Sequence, residues 1–86
     1  MTLYTVRFSP AALRQFRKLP LQVQARIQPF IDALMRNPRP HGTKKLKGPE
    51  GHYALRVGDY RVIYAVRDDR LMILAIRVEH RRESYR

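Results

Sequence analysis

The chain has 86 residues, which is enough for a single domain over residues 1–86 and a modest core. The chain has 18 Lys and Arg residues against 7 Asp and Glu residues, which gives a net charge of +11. This charge favours a polyanionic partner, and we expect nucleic acid in preference to an acidic protein. The absence of cysteine excludes disulfides and thiolate metal sites, and no apolar run is long enough to span a membrane. We expect a cytoplasmic protein that uses no metal and no cofactor.

The first half of the chain predicts one strand and two helices. Residues 3–8 alternate between apolar and polar side chains, as a half-buried strand does. Ser9 and Pro10 then supply an N-cap hydroxyl and a proline at the first helical position. Pro20 separates this helix from a second one, in which Pro29 removes a backbone hydrogen bond. The apolar stripes of the two helices consist of Leu13, Phe16 and Leu19, and of Val23, Ile27, Phe30, Ile31 and Leu34.

Residues 39–52 form the one long irregular segment, rich in proline, glycine and lysine. Long loops in compact domains are often functional. Lys44, Lys45 and Lys47 precede the strand that carries Arg56, and we predict that they bind RNA. The alternative is a solvated linker.

The second half reads YALRV-GD-YRVIYAV-RDDR-LMILAIRVEH, which is three alternating strands joined by tight turns. Gly58-Asp59 suits a type II′ hairpin turn, because glycine readily takes the positive φ of its first position. That loop sets Arg56 directly opposite Arg61. Like charges in such a pair are destabilising, so the sequence indicates a site where concentrated positive charge is wanted.

The turn after the second hairpin strand allows two registers. A loop of Asp68-Asp69 sets Arg61 opposite Ile76 and scatters apolar residues over both faces. A loop that includes Arg70 sets Arg61 opposite Arg77, and we predict this register because it gathers the apolar residues on one face. That face would carry Tyr53, Leu55, Val57, Tyr60, Val62, Tyr64, Val66, Met72, Leu74, Ile76 and Val78.

These elements predict an α+β domain of order β-α-α-β-β-β, in which a helical hairpin covers one face of an antiparallel sheet. The other face would carry Arg56, Arg61 and Arg77, with Arg81 just past the strand end. A cationic surface of this kind can hold a phosphate and offset the charge that develops during attack on phosphorus. In a metal-free ribonuclease, Arg56, Arg61 and Arg81 suit that clamp, while Tyr85 suits base stacking or proton transfer.

The acid and base are less well defined. His80 is a candidate catalytic residue, although the predicted register turns it toward the core unless the strand has already ended. Glu79 is of the right chemical type, but it can equally pair with an arginine. Lys45 or Lys47 could also take part, because a lysine in a positive field loses its proton more easily.

Three stretches, TVRFSPAALRQFRKLP, KLKGPEGHYALRVGDYRVIYAV and RVEHRRESYR, resemble the RelE branch of the RelE/ParE toxin family over nearly the whole chain. The resemblance implies a metal-independent type II toxin that cuts mRNA in the ribosomal A site. It also implies inhibition by a RelB-like antitoxin in an oligomeric complex. By position it assigns catalytic roles to Arg56, Arg61, Arg81 and Tyr85. Ala54 departs from the family pattern, which places a lysine there, so the proton acceptor is open.

Two other functions fit the same pattern. A ParE-like toxin that poisons DNA gyrase without catalysis would share the fold, but it has no evident need for Arg61, Arg81 and Tyr85 together. A plain RNA-binding module would need exposed aromatic residues besides Tyr85.

Overall fold

A computed structural model describes residues 3–48 and 51–80. The described residues form two α-helices packed on one face of a five-stranded sheet, which confirms the α+β prediction. Neither helix is long and apolar enough to cross a bilayer. In chain order the elements are β1 (Thr5–Phe8), α1 (Pro10–Lys18), α2 (Leu21–Ala33), β2 (Lys44–Lys45), β3 (His52–Val57), β4 (Tyr60–Arg67), a 3₁₀ turn (Asp68–Arg70) and β5 (Met72–His80).

The helix boundaries follow the predicted signals. The Ser9 hydroxyl caps α1 by accepting a hydrogen bond from the Ala12 amide at 3.0 Å, and Pro10 occupies the first turn. α2 continues through Pro29 to Ala33. Phe30 was predicted in the buried stripe of α2 but is 47% exposed. The other predicted stripe residues of α2 pack in or against the core: Val23, Ile27, Ile31 and Leu34.

The sheet order is β1-β5-β4-β3-β2, and it corrects the predicted all-antiparallel sheet. β1 pairs with β5 in parallel, and the helices and other strands between them form the long connection that a parallel pair requires. The remaining pairs are antiparallel. β2 contains only Lys44 and Lys45 and adds an edge strand that the sequence pattern did not predict.

The hairpin between β3 and β4 has the predicted register. Arg56 lies opposite Arg61 and Val57 opposite Tyr60. Gly58 has a φ of 59°, the positive value that the first turn position requires.

The hairpin between β4 and β5 differs from the prediction. Its loop holds four residues between Arg67 and Met72, ending at Leu71 in the left-handed conformation with φ 50°. Farther along, Tyr64 pairs with Ala75 but Ile63 pairs with Arg77, so a β-bulge in β5 inserts Ile76. Arg61 consequently lies opposite Glu79, not Arg77.

The side chains of β5 that face the core differ from the prediction on the turn side of the bulge. Near the turn, Ile73 and Ala75 pack in the core in place of Met72 and Leu74. Past the inserted residue the alternation returns to the predicted phase, and Val78 is in the core. The core between helices and sheet consists of Ala12, Phe16, Ile27, Ile31, Leu34, Leu55, Val57, Val62, Tyr64, Val66, Ile73, Ala75 and Val78.

Candidate phosphate-binding face

The face of the sheet opposite the helices carries a row of charges across three strands. Arg56 on β3 pairs with Arg61 on β4, which pairs with Glu79 on β5. These positions share a face because they alternate with the core residues Val57, Val62 and Val78. The row brings together two predicted clamp residues and one carboxylate.

A second row runs beside the first. Lys44, Ala54, Ile63 and Arg77 are consecutive partners on β2, β3, β4 and β5. Ala54 and Ile63 are buried, so they form an apolar floor between the two cations. Neighbouring strands are about 4.8 Å apart, which sets Lys44 and Arg77 roughly 14 Å apart along this row. We call Lys44, Arg56, Arg61, Arg77 and Glu79 the arginine face.

Glu79 contacts two of these arginines through one oxygen. Its Oε1 lies 3.1 Å from Nη2 of Arg61 and 3.9 Å from Nη2 of Arg77. The Glu79 side chain is 21% exposed, against 38% for Arg61 and 54% for Arg77. The carboxylate therefore lies lower in the surface than the guanidinium groups that it joins.

Arg61 has a buried donor that is not used in the described part of the chain. Its Nε is buried and has no hydrogen-bond partner there. An unpaired buried donor costs free energy, on the order of 1–3 kcal/mol, so the group is suited to receive an acceptor. Arg56 differs, because its exposed side chain donates from Nε to the Gly58 carbonyl at 3.3 Å, toward the hairpin turn.

The loop lysines do not all reach this face. Lys44 does, but Lys45 pairs with Tyr53 and so shares the helix-covered side of the sheet. Lys45 lines a cavity of about 440 Å³ at the end of the sheet together with Arg39, Tyr53 and Asp68. Lys47 is exposed beyond β2. The predicted lysine cluster is therefore divided between two surfaces.

His80 also lies away from the arginine face. Strand β5 continues through His80, which pairs with Tyr60. The two rings meet edge to face with centroids 4.9 Å apart, and Tyr60 packs against the core. Strand alternation thus places His80 on the side opposite Arg61 and Glu79, as the predicted register implied. Its catalytic role stays a prediction. The predicted residues Arg81 and Tyr85 lie outside the described residues.

The sequence analysis missed a polar cluster at the far end of the sheet. Arg39 binds Asp68 with Nη2 to Oδ2 at 2.7 Å and Nη1 to Oδ1 at 3.3 Å, and its Nε donates to the Tyr53 hydroxyl at 2.8 Å. The Tyr4 hydroxyl donates to Asp68 at 2.6 Å. These partners are far apart in sequence, so no local pattern could have revealed them.

Electrostatics in this cluster follow from the hydrogen bonds. The Arg39 guanidinium and the Tyr4 hydroxyl hold the pKa of Asp68 below its usual value. The bond to Asp68 raises the pKa of Tyr4, and the same carboxylate raises the pKa of Arg39. Burial raises the pKa of Tyr64, whose hydroxyl donates to the Pro38 carbonyl at 2.7 Å. The cluster therefore fastens the loop after α2 to the sheet.

The described residues contain no group of three or more His, Asp and Glu side chains that could hold a metal ion. The arginine face carries guanidinium donors on adjacent strands, and guanidinium groups bind anions such as phosphate through charge-assisted hydrogen bonds. The described part of that face supplies charge and hydrogen bonds but no neutral proton acceptor within it.

Comparisons of the sequence with a family model and with known proteins agree on one family. Residues 6–85 match the family model described as the ParE toxin of the type II toxin–antitoxin system parDE. The chain is 34% identical to the toxin RelG of Mycobacterium tuberculosis, covering 96% of this chain and 97% of RelG.

Solved structures have the same fold. A crystal structure of the RelBE2 toxin–antitoxin complex from M. tuberculosis aligns with a TM-score of 0.80 and 36% identity over 94% of each chain. The archaeal RelE–RelB complex from Pyrococcus horikoshii aligns with a TM-score of 0.82 and 31% identity, covering 94% of this chain and 97% of that one. The chain described above therefore belongs to the RelE/ParE family and is a toxin of a type II toxin–antitoxin system.

Proposed function

We propose that this toxin is a metal-independent endoribonuclease that cleaves mRNA in the A site of the ribosome. The observation that carries the proposal is Arg61, which lies beside Arg56 on rigid strands and keeps a buried, unpaired Nε donor. A gyrase-binding surface has no evident need for a guanidinium held in this state. A phosphate group that gains negative charge during the reaction needs such a donor to stabilise that charge.

In the proposed reaction the ribose 2′-oxygen attacks the adjacent phosphorus and the bond to the 5′-oxygen breaks. The products are a 2′,3′-cyclic phosphate and a 5′-hydroxyl, with the 2′-proton going to an acceptor and a proton going to the leaving oxygen. Arg56, Arg61 and Arg77 would stabilise the negative charge on the phosphorane oxygens, while Lys44 would hold a neighbouring phosphate. Arg81 and Tyr85 remain the proposed further clamp and the base-stacking or proton-transfer group.

The proposed partners are the ribosome with its mRNA and a cognate RelB-like antitoxin in an oligomeric complex. Two similar toxins were crystallised as toxin–antitoxin complexes, one of them explicitly with RelB, which supports the antitoxin. The net charge of +11 supports a nucleic-acid target, because arginine pairs well with phosphate. A ribosomal target also places the toxin in the cytoplasm.

The second candidate is a non-catalytic inhibitor of DNA gyrase. The matching family model favours it, because that model describes ParE toxins. The two candidates differ in whether mRNA is broken during translation.

Primer extension on mRNA translated in a cell-free system tests the proposal. We expect breaks at codon spacing with the wild-type toxin, and their loss with Arg61→Ala. Arg70→Ala is the matched control, because it removes an exposed arginine from the turn at the far end of β4. Intact mRNA together with gyrase-linked DNA breaks would instead establish the second candidate.

A further inference from the structure

We propose that Glu79 is an internal counter-ion that occupies the phosphate position of the arginine face and lowers its affinity for phosphate ligands. This inference rests on the proposed function, because it concerns the same face. It assigns to Glu79 an affinity-setting role that is separate from catalysis.

The first step is the position of the carboxylate. Oε1 of Glu79 lies within hydrogen-bond distance of Arg61 and 3.9 Å from Arg77, so one oxygen stands between two guanidinium groups. A phosphate oxygen that bridges Arg61 and Arg77 would occupy the position of Oε1 of Glu79, because it would accept hydrogen bonds from the same guanidinium donors.

The second step is the charge balance. Lys44, Arg56, Arg61 and Arg77 gather on this face, and Arg56 and Arg61 are direct cross-strand partners. Like charges in that relationship repel. Among residues 3–48 and 51–80, Glu79 is the acidic side chain that strand pairing brings into these rows. It offsets the repulsion in the free protein.

The third step is the incomplete use of Arg61. Glu79 accepts from Nη2 only, while the buried Nε has no partner in the described residues. A single oxygen on one terminal nitrogen does not satisfy a guanidinium, whose planar fork suits two acceptor oxygens. A phosphate has more acceptor oxygens and, once the Arg61 side chain turns to expose Nε, can satisfy Nε and Nη2 together. The Glu79 contact is therefore a contact that a phosphate can replace.

Replacement has a consequence for affinity. An arriving phosphate must break the Arg61–Glu79 pair and lies close to the remaining carboxylate charge. Partly exposed ion pairs are worth up to about 1 kcal/mol, which converts to a change in affinity of up to roughly fivefold. Removing the charge of Glu79 should therefore tighten phosphate binding by about two- to fivefold.

Titration of the purified toxin with inorganic phosphate tests this directly, with the arginine Nε–H NMR signals as the readout. We expect Glu79→Gln to bind phosphate about two- to fivefold more tightly than the wild type, with the largest shift at Arg61. Asp59→Asn makes the same charge change at an exposed residue of the hairpin turn and should alter affinity less than Glu79→Gln. Equal tightening by both variants would show a general charge effect and overturn the proposal.

A double-mutant cycle adds a second test. In an Arg61→Gln background the effect of Glu79→Gln should shrink, because the pair that it breaks is already absent. Glu79→Asp is the second variant if Glu79→Gln does not fold. It keeps the charge but shortens the side chain, so its affinity for phosphate should lie between that of the wild type and that expected for Glu79→Gln. Unchanged or weaker phosphate binding by Glu79→Gln would mean that Glu79 only positions Arg61, which overturns the counter-ion role.

The same variants separate this inference from the proposed function. A labelled 2′-O-methyl RNA oligonucleotide cannot be cleaved, so its binding can be measured with every variant, and we expect the same order of affinities. If translated mRNA stays intact but phosphate binding follows that order, the counter-ion role stands and the nuclease proposal fails. If mRNA is cut but Glu79→Gln does not tighten phosphate binding, only the counter-ion role fails.

Discussion

Arg61 and Glu79 lie directly opposite each other on β4 and β5, with Nη2 of the arginine 3.1 Å from Oε1 of the carboxylate. On its other side Arg61 faces Arg56. A single residue thus has a repulsive neighbour on one strand and an attractive neighbour on the next. Both relationships are set by strand register, which the Gly58-Asp59 turn, the loop between Arg67 and Met72 and the bulge at Ile76 determine.

This arrangement predicts that Arg61→Ala folds normally. The variant loses a partly exposed ion pair worth at most about 1 kcal/mol, and it also removes the repulsion between Arg56 and Arg61. We expect the free energy of unfolding in urea to change by less than about 1 kcal/mol, while the proposed mRNA cleavage falls by about 10²- to 10³-fold. A variant that fails to fold would show that Arg61 is a structural residue.

Asp68 should contribute to stability in acid. Its pKa is lowered in the folded state, so its contribution is present above the unfolded value near 3.9 and is lost as the pH falls through the lower folded value. We expect Asp68→Asn to melt at a lower temperature than the wild type at pH 6, with the difference narrowing below about pH 4. Asp59→Asn serves as the charge-matched control. A difference that stays constant down to pH 2 would contradict the assignment.

Tyr4 should have the opposite dependence. Its pKa is raised by the bond to Asp68, so its contribution is present below the unfolded value of about 10 and is lost as the pH rises through the higher folded value. Thermal melting of Tyr4→Phe between pH 8 and 11 checks this. We expect the variant to lose less stability than the wild type above about pH 10. Parallel melting curves at all pH values would argue against a role for the Tyr4–Asp68 bond.

Gly51 and Gly42 provide a matched pair of glycine positions. Both have positive φ, 77° and 91°, but a Cβ at Gly51 would lie 2.8 Å from the Val66 carbonyl oxygen, whereas one at Gly42 would meet nothing within 4 Å. We expect Gly42→Ala to cost about 1 kcal/mol and Gly51→Ala to cost at least about 2 kcal/mol in urea unfolding. Equal costs would mean that backbone conformation alone matters at both positions.

The parts of the fold that follow from local chemistry were predictable. Ser9-Pro10 gave the start of α1, and Gly58-Asp59 fixed the pairing of Arg56 with Arg61. The pairing of Arg61 with Glu79 was not predictable, because it depends both on a four-residue loop after Arg67 and on the inserted residue Ile76. Nothing in the alternation of β5 marks that residue as extra.

The other features that the sequence analysis did not predict depend on contacts between residues far apart in the chain. The Arg39–Asp68 pair joins residues 29 positions apart, and neither residue belongs to a motif. β1 pairs with β5 although both helices and the other strands lie between them in sequence. The charges of the arginine face could be read from the sequence, but their counter-ion could be assigned only from the strand register.

Ser9 links α1 to the bulge in β5. Substitutions at Ser9 can therefore separate its role as a helix cap from its role in holding the bulge. Its hydroxyl accepts from the Ala12 amide at 3.0 Å and donates to the carbonyl of the bulged residue Ile76 at 2.9 Å, while its amide donates to Ala75 at 2.8 Å. Aspartate caps helices as well as serine does, but its carboxylate cannot donate and would repel the Ile76 carbonyl.

We therefore expect Ser9→Asp to lower the free energy of unfolding at least as much as Ser9→Ala, for which the loss of the cap alone costs about 1 kcal/mol. Ser9→Thr keeps a hydroxyl for both bonds and should remain close to the wild type. Urea unfolding ranks the three variants. If Ser9→Asp were as stable as the wild type, the hydroxyl would act only as a cap, and the bulge that sets Arg61 opposite Glu79 would have to be held by the ladder itself.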